Sequence, residues 1–315
     1  MQELSIIIPH FNDVISLEKL LSSIPKKETI QIIVIDDRSS KQLKQYKQVK
    51  DRYEHVLFLQ NKTSNKGAGT CRNIGIDHAK GQWLLFADAD DFFVKDFYPT
   101  ISKYFNSKYD VIFFRPISIE RETGKQSDRH EKYELLVKNY LKYKSEKAET
   151  KLRYQYYVPW SKLIRKDFIT EQNIRFEEII ASNDVMFSTK LGHLLKEFYV
   201  TEEIIYCATR SYGTLTMSSD TDIFKTRLET HINYCNYLKK TINKRKQKYL
   251  NLTGLGLILN TIRHKYGIKC TLSTYIKLKR NGIKIFDIKF FHPRFIYRKI
   301  KEFRERNKVE KKFLK

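Results

Sequence analysis

One stretch constrains this chain more than any other: Gln82-Trp83-Leu84-Leu85-Phe86-Ala87-Asp88-Ala89-Asp90-Asp91, an apolar run that stops in three carboxylates within four positions. Residues 83–87 are too few and too uniformly apolar for an amphipathic helix, so they predict a core strand of a covered parallel sheet. Leaving a sheet gives no reason to cluster acids that repel one another. A divalent cation does, because magnesium and manganese take hard oxygen ligands, often one or two carboxylates together with substrate phosphates. In open α/β sheets the ligand crevice lies beyond the carboxyl ends of the strands, where these acids fall. The competing reading is a solvated turn in which Asp90 or Asp91 caps a helix beginning near Phe92.

The sequence around this stretch alternates. Leu4 to Ile8 reads as a strand ended by Pro9, and His10 to Asp13 as the turn into a helix burying Leu17, Leu20, Leu21 and Ile24. Ile30 to Ile35 is a second strand, and again acids follow it, in Asp36-Asp37-Arg38-Ser39-Ser40. A polar helix to about Tyr53, a strand over 56–59, a loop over 61–67 and a helix over 69–79 lead to the acidic strand. Such alternation predicts a right-handed parallel α/β sheet. Gly67-Ala68-Gly69 is no dinucleotide fingerprint, since Arg72 takes the third glycine position and the motif follows the third strand, not the first. Beyond the acids come a strand over 110–114, a polar stretch over 120–132 read as a mobile loop, an aromatic-rich segment over 154–164, and a helix opening at Asn183. From Thr221 onward the pattern is helical, including the apolar stretch Leu250 to Ile262.

Charge divides the chain unevenly. Of a net +24 over 315 residues, the segment from Lys239 to the end holds +20, from 24 Lys and Arg against four acids, which leaves +4 for the rest. This predicts a nearly balanced domain over residues 1–220 and a basic, mainly helical region over 221–315 with an anionic surface as its partner. The basic region is rich in Phe and Tyr and so is no plain disordered tail. No run of 18 apolar residues occurs, the start carries no basic region or cleavage site, and four scattered cysteines form no CxxC pair. The expectation is a protein of the reducing cytoplasm, with neither zinc nor disulfides.

Six motifs occur in order: Ser5-Ile6-Ile7-Ile8-Pro9-His10-Phe11-Asn12, Val34-Ile35-Asp36-Asp37-Arg38-Ser39, Gly69-Thr70-Cys71-Arg72-Asn73-Ile74-Gly75, Phe86-Ala87-Asp88-Ala89-Asp90-Asp91, Trp160-Ser161-Lys162-Leu163-Ile164 and Asn183-Asp184-Val185-Met186-Phe187. Together they resemble the family-2 inverting glycosyltransferases of the GT-A fold, of the bacterial polysaccharide type, over about residues 4–215. The departures are Arg38 where Gly or Asn is usual, His10-Phe11 for a commoner Thr-Tyr or Ser-Tyr, and Asn183 for a frequent Glu.

The resemblance implies a nucleotide-sugar donor, most often a UDP-sugar, lying across the strand ends. Pro9, Phe11 and Asn12 then border the nucleotide, and Asp37, an acceptor-only carboxylate, suits the imide N–H of uracil. Gly69, Arg72 and Asp88 fall on the donor, with the Arg72 guanidinium fitted to the diphosphate unless it pairs with Asp77 or Asp88. Asp88 and Asp90 are the implied ligands of Mn2+ or Mg2+, Asp90 the more direct, while Asp91 is structural. Asp184 matches the base that deprotonates the acceptor hydroxyl, with Glu177 and Glu178 next in line. Tyr156, Tyr157 and Trp160, with Glu177, are candidates for the acceptor side, since sugar C–H faces stack on aromatic rings, and Arg210 to Gly213 for a closing loop.

The acceptor implied is a glycan or lipid-linked glycan, and residues 239–315 suit an anionic membrane surface on the cytoplasmic face. A homo-oligomer is left open, and no nucleic acid is expected. Two other readings compete: a metal-dependent nucleotidyltransferase, which also uses strand-end acids, and a nucleic-acid-binding protein, which would explain the basic end and leave the acidic strand ends idle.

Overall fold

The computed structural model describes residues 2–210 and 220–286. They form two compact units that divide between Leu250 and Asn251. Within the first unit, strand β1 (Leu4–His10), helix α1 (Val14–Ser22), β2 (Ile30–Asp36), α2 (Leu43–Arg52), β3 (Leu57–Gln60), α3 (Ala68–His78) and β4 (Trp83–Phe86) follow the predicted alternation. β1 pairs in parallel with β2, from Leu4 opposite Ile30 to His10 opposite Asp36, and with β4, from Leu4 opposite Trp83 to Ile7 opposite Phe86. This register brings the ends of β1 and β2 level and sets Asp88 just past the end of β4. Both faces are covered: Ile6, Ile8, Val34 and Leu85 pack towards Leu17 and Leu20 of α1, and Ile7, Ile35, Leu84 and Phe86 pack with Cys71 and Ile76 of α3. Double coverage is why these strands read as continuous apolar runs.

The sheet is completed by β6 (Val111–Phe113), β8 (Lys162–Arg165) and β9 (Phe198–Val200), giving the order β3-β2-β1-β4-β8-β6-β9. β8 runs antiparallel to β4 and to β6, while the other pairings are parallel. A small second sheet, β5 (Phe92–Phe93), β10 (Tyr206–Arg210) and β7 (Ile117–Glu120), has β10 in its middle. Two expectations give way to it. No helix starts near Phe92; residues 92–93 pair with β10, and α4 (Phe97–Ser102) begins later. The polar stretch 120–132 is also no free loop, since it turns back on β7 through Glu120 N–H to the Lys125 carbonyl and Ser127 N–H to the Ser118 carbonyl. It then enters α5 (Glu131–Tyr143).

Helices α6 (Glu146–Gln155), α7 (Lys166–Glu171), α8 (Asn183–Leu194), α9 (Thr221–Thr241) and α10 (Lys244–Leu250) complete the unit. The sequence reading ended its first domain at residue 220, whereas the compact unit runs on to Leu250. α9 packs on α8 and α10 on α6, with the Tyr234 hydroxyl donating to the Tyr154 carbonyl at 3.1 Å and the Gln155 amide to the Leu250 carbonyl at 3.1 Å. The helical pattern past Thr221 says nothing of which side its apolar face will meet.

The second unit holds α11 (Leu255–Arg263) and α12 (Ile268–Arg280), joined by a Thr261 to Thr271 hydroxyl contact of 2.9 Å. Its buried centre is Leu278, Ile283 and Ile285. Ile268, Leu272, Tyr275 and Ile276, one face of α12 at helical spacing, are exposed, as are Leu259 and Ile262 of α11. No helix among the described residues is long and apolar enough to cross a membrane. The residues expected to close over the site, Ser211 to Gly213, and the aromatic-basic stretch from Phe290 lie outside the described residues.

Candidate active site

The ends of β1 and β2 are knitted together by their own polar residues. His10 Nδ1 lies 2.9 Å from Asp36 Oδ1 and its ring stacks on Tyr46 at 5.0 Å, so a histidine fits where the family motif has a hydroxyl residue. Ser39 donates to Asp36 from both its hydroxyl and its amide. Burial works against the Asp36 carboxylate, yet the hydrogen bonds from His10 and Ser39 hold its pKa below the ordinary range. Asp37 accepts from Asn61 Nδ2 at 2.7 Å and from the Gly67 amide at 2.8 Å, fixing the loop that leads into α3. Asn12, in the left-handed region at φ 54°, accepts from the amides of Ser40 and Lys41 at 2.9 Å each and ties the two strand-end loops together. Pro9 is part of β1, and the Phe11 ring stands 53% exposed beside Lys66.

The end of β4 is built differently. Carboxylate oxygens of Asp88, Asp90 and Asp91 all lie within 4.8 Å of one another. Asp91 is buried and committed: it accepts from the Tyr206 hydroxyl at 2.8 Å and the Thr209 amide at 2.6 Å, both from β10. Tyr206 also accepts from the Asp88 amide at 2.9 Å, and the Thr209 hydroxyl donates to the Asp90 carbonyl at 2.5 Å, so the small sheet sets the shape of this turn. Asp88 and Asp90 are partly exposed, and their carboxylates are the ones open to a ligand. Burial, with the neighbouring Asp88 charge, raises the pKa of Asp90, and burial pushes Asp91 well above the carboxylate range.

Arginines answer these acids. Arg72, the fifth residue of α3, donates to Asp88 Oδ1 at 2.5 Å and to Asn183 Oδ1 at 2.8 Å, with its guanidinium 5.2 Å above the Phe176 ring. Of the two acids weighed for it, Asp88 is the partner; Asp77 pairs with Arg175. Arg129, from the segment read as a free loop, stands against all three acids, 3.6 Å from Asp88, 3.9 Å from Asp90 and 3.5 Å from Asp91. Nothing in the local pattern Ser127-Asp128-Arg129-His130 marks it, because the pairing of β7 with β10 is what carries it there.

Gly69 brings the two helix starts into contact: a Cβ there would run into the Glu177 carbonyl oxygen and lie 2.8 Å from the Asn183 Cβ. Asp184 sits in the first turn of α8, where the helix dipole favours an acid. Burial nonetheless raises its pKa, with Arg72 and Lys162 opposing and Asp88 adding to the rise. Lys162 is 1% exposed, donates to the Tyr156 carbonyl at 2.7 Å and the Ser188 hydroxyl at 3.1 Å, and burial lowers its pKa to about 7. Lys132 lies over the Tyr157 ring at 4.2 Å. The Asp184 charge bears on both lysines.

The acceptor-side expectations divide. Glu177 is partly buried and burial raises its pKa. Tyr157 is partly exposed but meets Tyr234 edge-on at 5.6 Å. Trp160 is corrected: at 1% exposure it is stacked on Tyr206 at 5.6 Å and edged by Tyr133, so its ring is core beneath the acidic turn and offers no face to a sugar. Tyr156, also 1% exposed, is corrected in the same way.

Residues 5–171 match the family model described as glycosyl transferase family 2, and the chain belongs to that family. Over 226 residues it is 25% identical to poly(ribitol-phosphate) beta-N-acetylglucosaminyltransferase TarS of Staphylococcus aureus, a match covering 68% of this chain and 36% of that protein. The crystal structure of S. aureus TarS 1–349 in complex with UDP-GlcNAc superposes with a TM-score of 0.54 at 16% identity, covering 90% of this chain and 93% of that one. Mannosyltransferase PcManGT from Pyrobaculum calidifontis, in complex with GDP-Man and Mn2+, gives a TM-score of 0.57 at 11% identity, covering 94% of this chain and 82% of that one. At these identities the structural likenesses establish the fold, which is the GT-A fold the motifs implied.

Proposed function

We propose that this chain is a metal-dependent inverting glycosyltransferase. It moves a hexosyl or N-acetylhexosaminyl group from a nucleotide-sugar, with a UDP-sugar the first to try, to a hydroxyl of a glycan or lipid-linked glycan in cell-surface polysaccharide synthesis. The observation that carries this reading is the end of β4, where two partly open carboxylates, Asp88 and Asp90, lie side by side, Asp88 paired with Arg72 and with Asp184 in its electrostatic reach. The UDP-GlcNAc of the TarS complex and the GDP-Man and Mn2+ of the mannosyltransferase complex support it.

The donor set fits a hard divalent cation: carboxylate oxygens only, two of the three residues open, and the third held as their brace. Asp88 and Asp90 would hold Mn2+ or Mg2+, which when bound supplies positive charge to the departing diphosphate. Asp37, with Pro9, Phe11, Asn12 and Gly69, frames the nucleotide, and Arg72, held beside Asp88, offers its guanidinium to a phosphate. Asp184 takes the proton of the acceptor hydroxyl. As it does so the acceptor oxygen bonds to the anomeric carbon from the side opposite the nucleotide, the bond from that carbon to the diphosphate oxygen breaks, and the nucleoside diphosphate leaves. A carboxylate whose pKa is raised by burial is a stronger base for this than a solvated one.

The second unit supports a membrane-surface setting for this reading. Ile268, Leu272, Tyr275 and Ile276 lie among Lys269, Lys277, Lys279 and Arg280, an apolar face with a basic border suited to the anionic cytoplasmic face of a membrane. Vesicle sedimentation at low salt tests this; equal binding to anionic and neutral lipid would refute it. The activity is tested by incubating the chain with Mn2+, an oligosaccharide acceptor mixture and a panel of nucleotide-sugars. Release of free nucleoside diphosphate with a glycosylated product is expected, and pyrophosphate release instead would point to a nucleotidyltransferase.

A further inference from the structure

We infer that Arg129 is the resident counter-cation of the acidic strand end, a positioning residue that holds Asp88, Asp90 and Asp91 together in the metal-free protein and gives way when a divalent cation binds. The inference rests on the metal reading of Asp88 and Asp90.

The two guanidiniums at this site are held in unlike ways. Arg72 makes hydrogen bonds of 2.5 and 2.8 Å and lies on an aromatic face, a fixed fit. Arg129 comes no nearer than 3.5 Å to any of the three acids, beyond the range of a good N–H to O hydrogen bond. It acts as a charge shared among three carboxylates, and among the described residues its one close polar partner is the Thr209 carbonyl on β10. Displacing it from the acids therefore breaks little hydrogen bonding, while leaving it there opposes any incoming cation.

Its backbone is not free to wander. Ser127 and His130, on either side, are buried, and both bond to Ser118 on β7: Ser127 N–H to the Ser118 carbonyl at 3.0 Å, and the Ser118 hydroxyl against His130 Nδ1 at 2.7 Å. The neighbouring Asp128 pairs with Arg210 of β10. An arginine so anchored can swing only its side chain. Charge completes the argument, because three carboxylates within 4.8 Å face two guanidiniums, and of these only the loosely held Arg129 can swing aside for a divalent ion. Metal and diphosphate then bind best together, since the diphosphate offers the released Arg129 a new anionic partner.

Mn2+ alone, titrated into the metal-free full chain and followed by loss of the free-ion electron paramagnetic resonance signal, tests this without turnover. Arg129→Gln is expected to bind Mn2+ about tenfold more tightly than wild type, since an opposing charge a few ångströms away is gone, and Asp90→Ala is expected to abolish binding in both backgrounds. Without metal the glutamine variant melts below wild type, and saturating Mn2+ closes the gap. A merely structural role predicts the lower melting point without the tighter binding. Equal or weaker Mn2+ affinity in Arg129→Gln overturns the role of Arg129 and leaves the metal reading standing; absence of Asp90-dependent binding in either protein overturns both. Where the glutamine variant does not fold, Arg129→Lys carries the test, with binding about threefold tighter expected because a lysine cannot span three acids and unchanged or weaker binding counting against the inference.

Discussion

Two strands of the same sheet end in clustered acids, and the clusters are of opposite kinds. At the end of β2, Asp36 and Asp37 are satisfied by neighbours within hydrogen-bond distance, namely His10, Ser39, Asn61 and the Gly67 amide. The Asp36 pKa is correspondingly lowered. At the end of β4, Asp90 and Asp91 are raised instead, and the charge that compensates them stands 3.5 to 3.9 Å away on Arg129. Asp36 stabilises the fold in its ionised form. The second cluster is a like-charge concentration that the fold tolerates, which is where a binding site rather than a structural joint is expected.

The contrast can be broken most sharply at Asp90. Asp90→Ala is expected to lower transfer about a thousandfold or more, since several kcal/mol of charge stabilisation is at stake. Its melting temperature should hold or rise as like-charge repulsion is relieved; nucleoside diphosphate release at saturating Mn2+ and a circular-dichroism melt check the two halves. Full turnover would place the β4 acids with those of β2. Asp184→Asn should cost about a hundredfold in turnover with nucleotide binding intact, against near-normal rates for Glu177→Gln. Turnover lost through Glu177 and kept without Asp184 would move the base to the other acid.

At the β2 end the effects should fall on stability. Asp36→Asn is expected to cost about 1–3 kcal/mol at pH 7, measured by urea unfolding, with little change in rate per folded molecule. Because the folded pKa of Asp36 is depressed, its contribution is present above the unfolded value of about 4 and is lost as pH falls through the folded value. The gap between wild type and Asp36→Asn should therefore close in acid. The smallest effect is expected at Asn12→Gly, which keeps the left-handed backbone but drops two side-chain bonds, at about 1 kcal/mol.

What could be read from the chain and what could not follows the range of the interactions. The strand ends at Asp36 and Asp88 were legible because an apolar run and the acids that stop it are adjacent, whereas the crowding that excludes a Cβ at Gly69 shows only once the Glu177 carbonyl and Asn183 are packed against it. Tyr206 and Thr209 reach Asp91 across 115 and 118 residues, so only the assembled small sheet reveals them, and Arg129 arrives by the same sheet. Trp160 shows the limit of composition: an aromatic-rich stretch beside a site looks the same whether its rings line the cleft or underlie it. Here the ring stacks on Tyr206 and props up the acidic turn from below.

The reversal of β8 carries a consequence for how such chains tolerate change. Its parallel neighbours deliver their polar residues as they leave the sheet, whereas β8 runs the other way and delivers Lys162 as it enters. A one-residue slip in that single strand would turn Lys162 to the opposite face and strand its charge among apolar side chains, with every flanking strand still in place. Insertions just ahead of residue 162 should for that reason be hard for this molecule to absorb wherever they shift the register of β8.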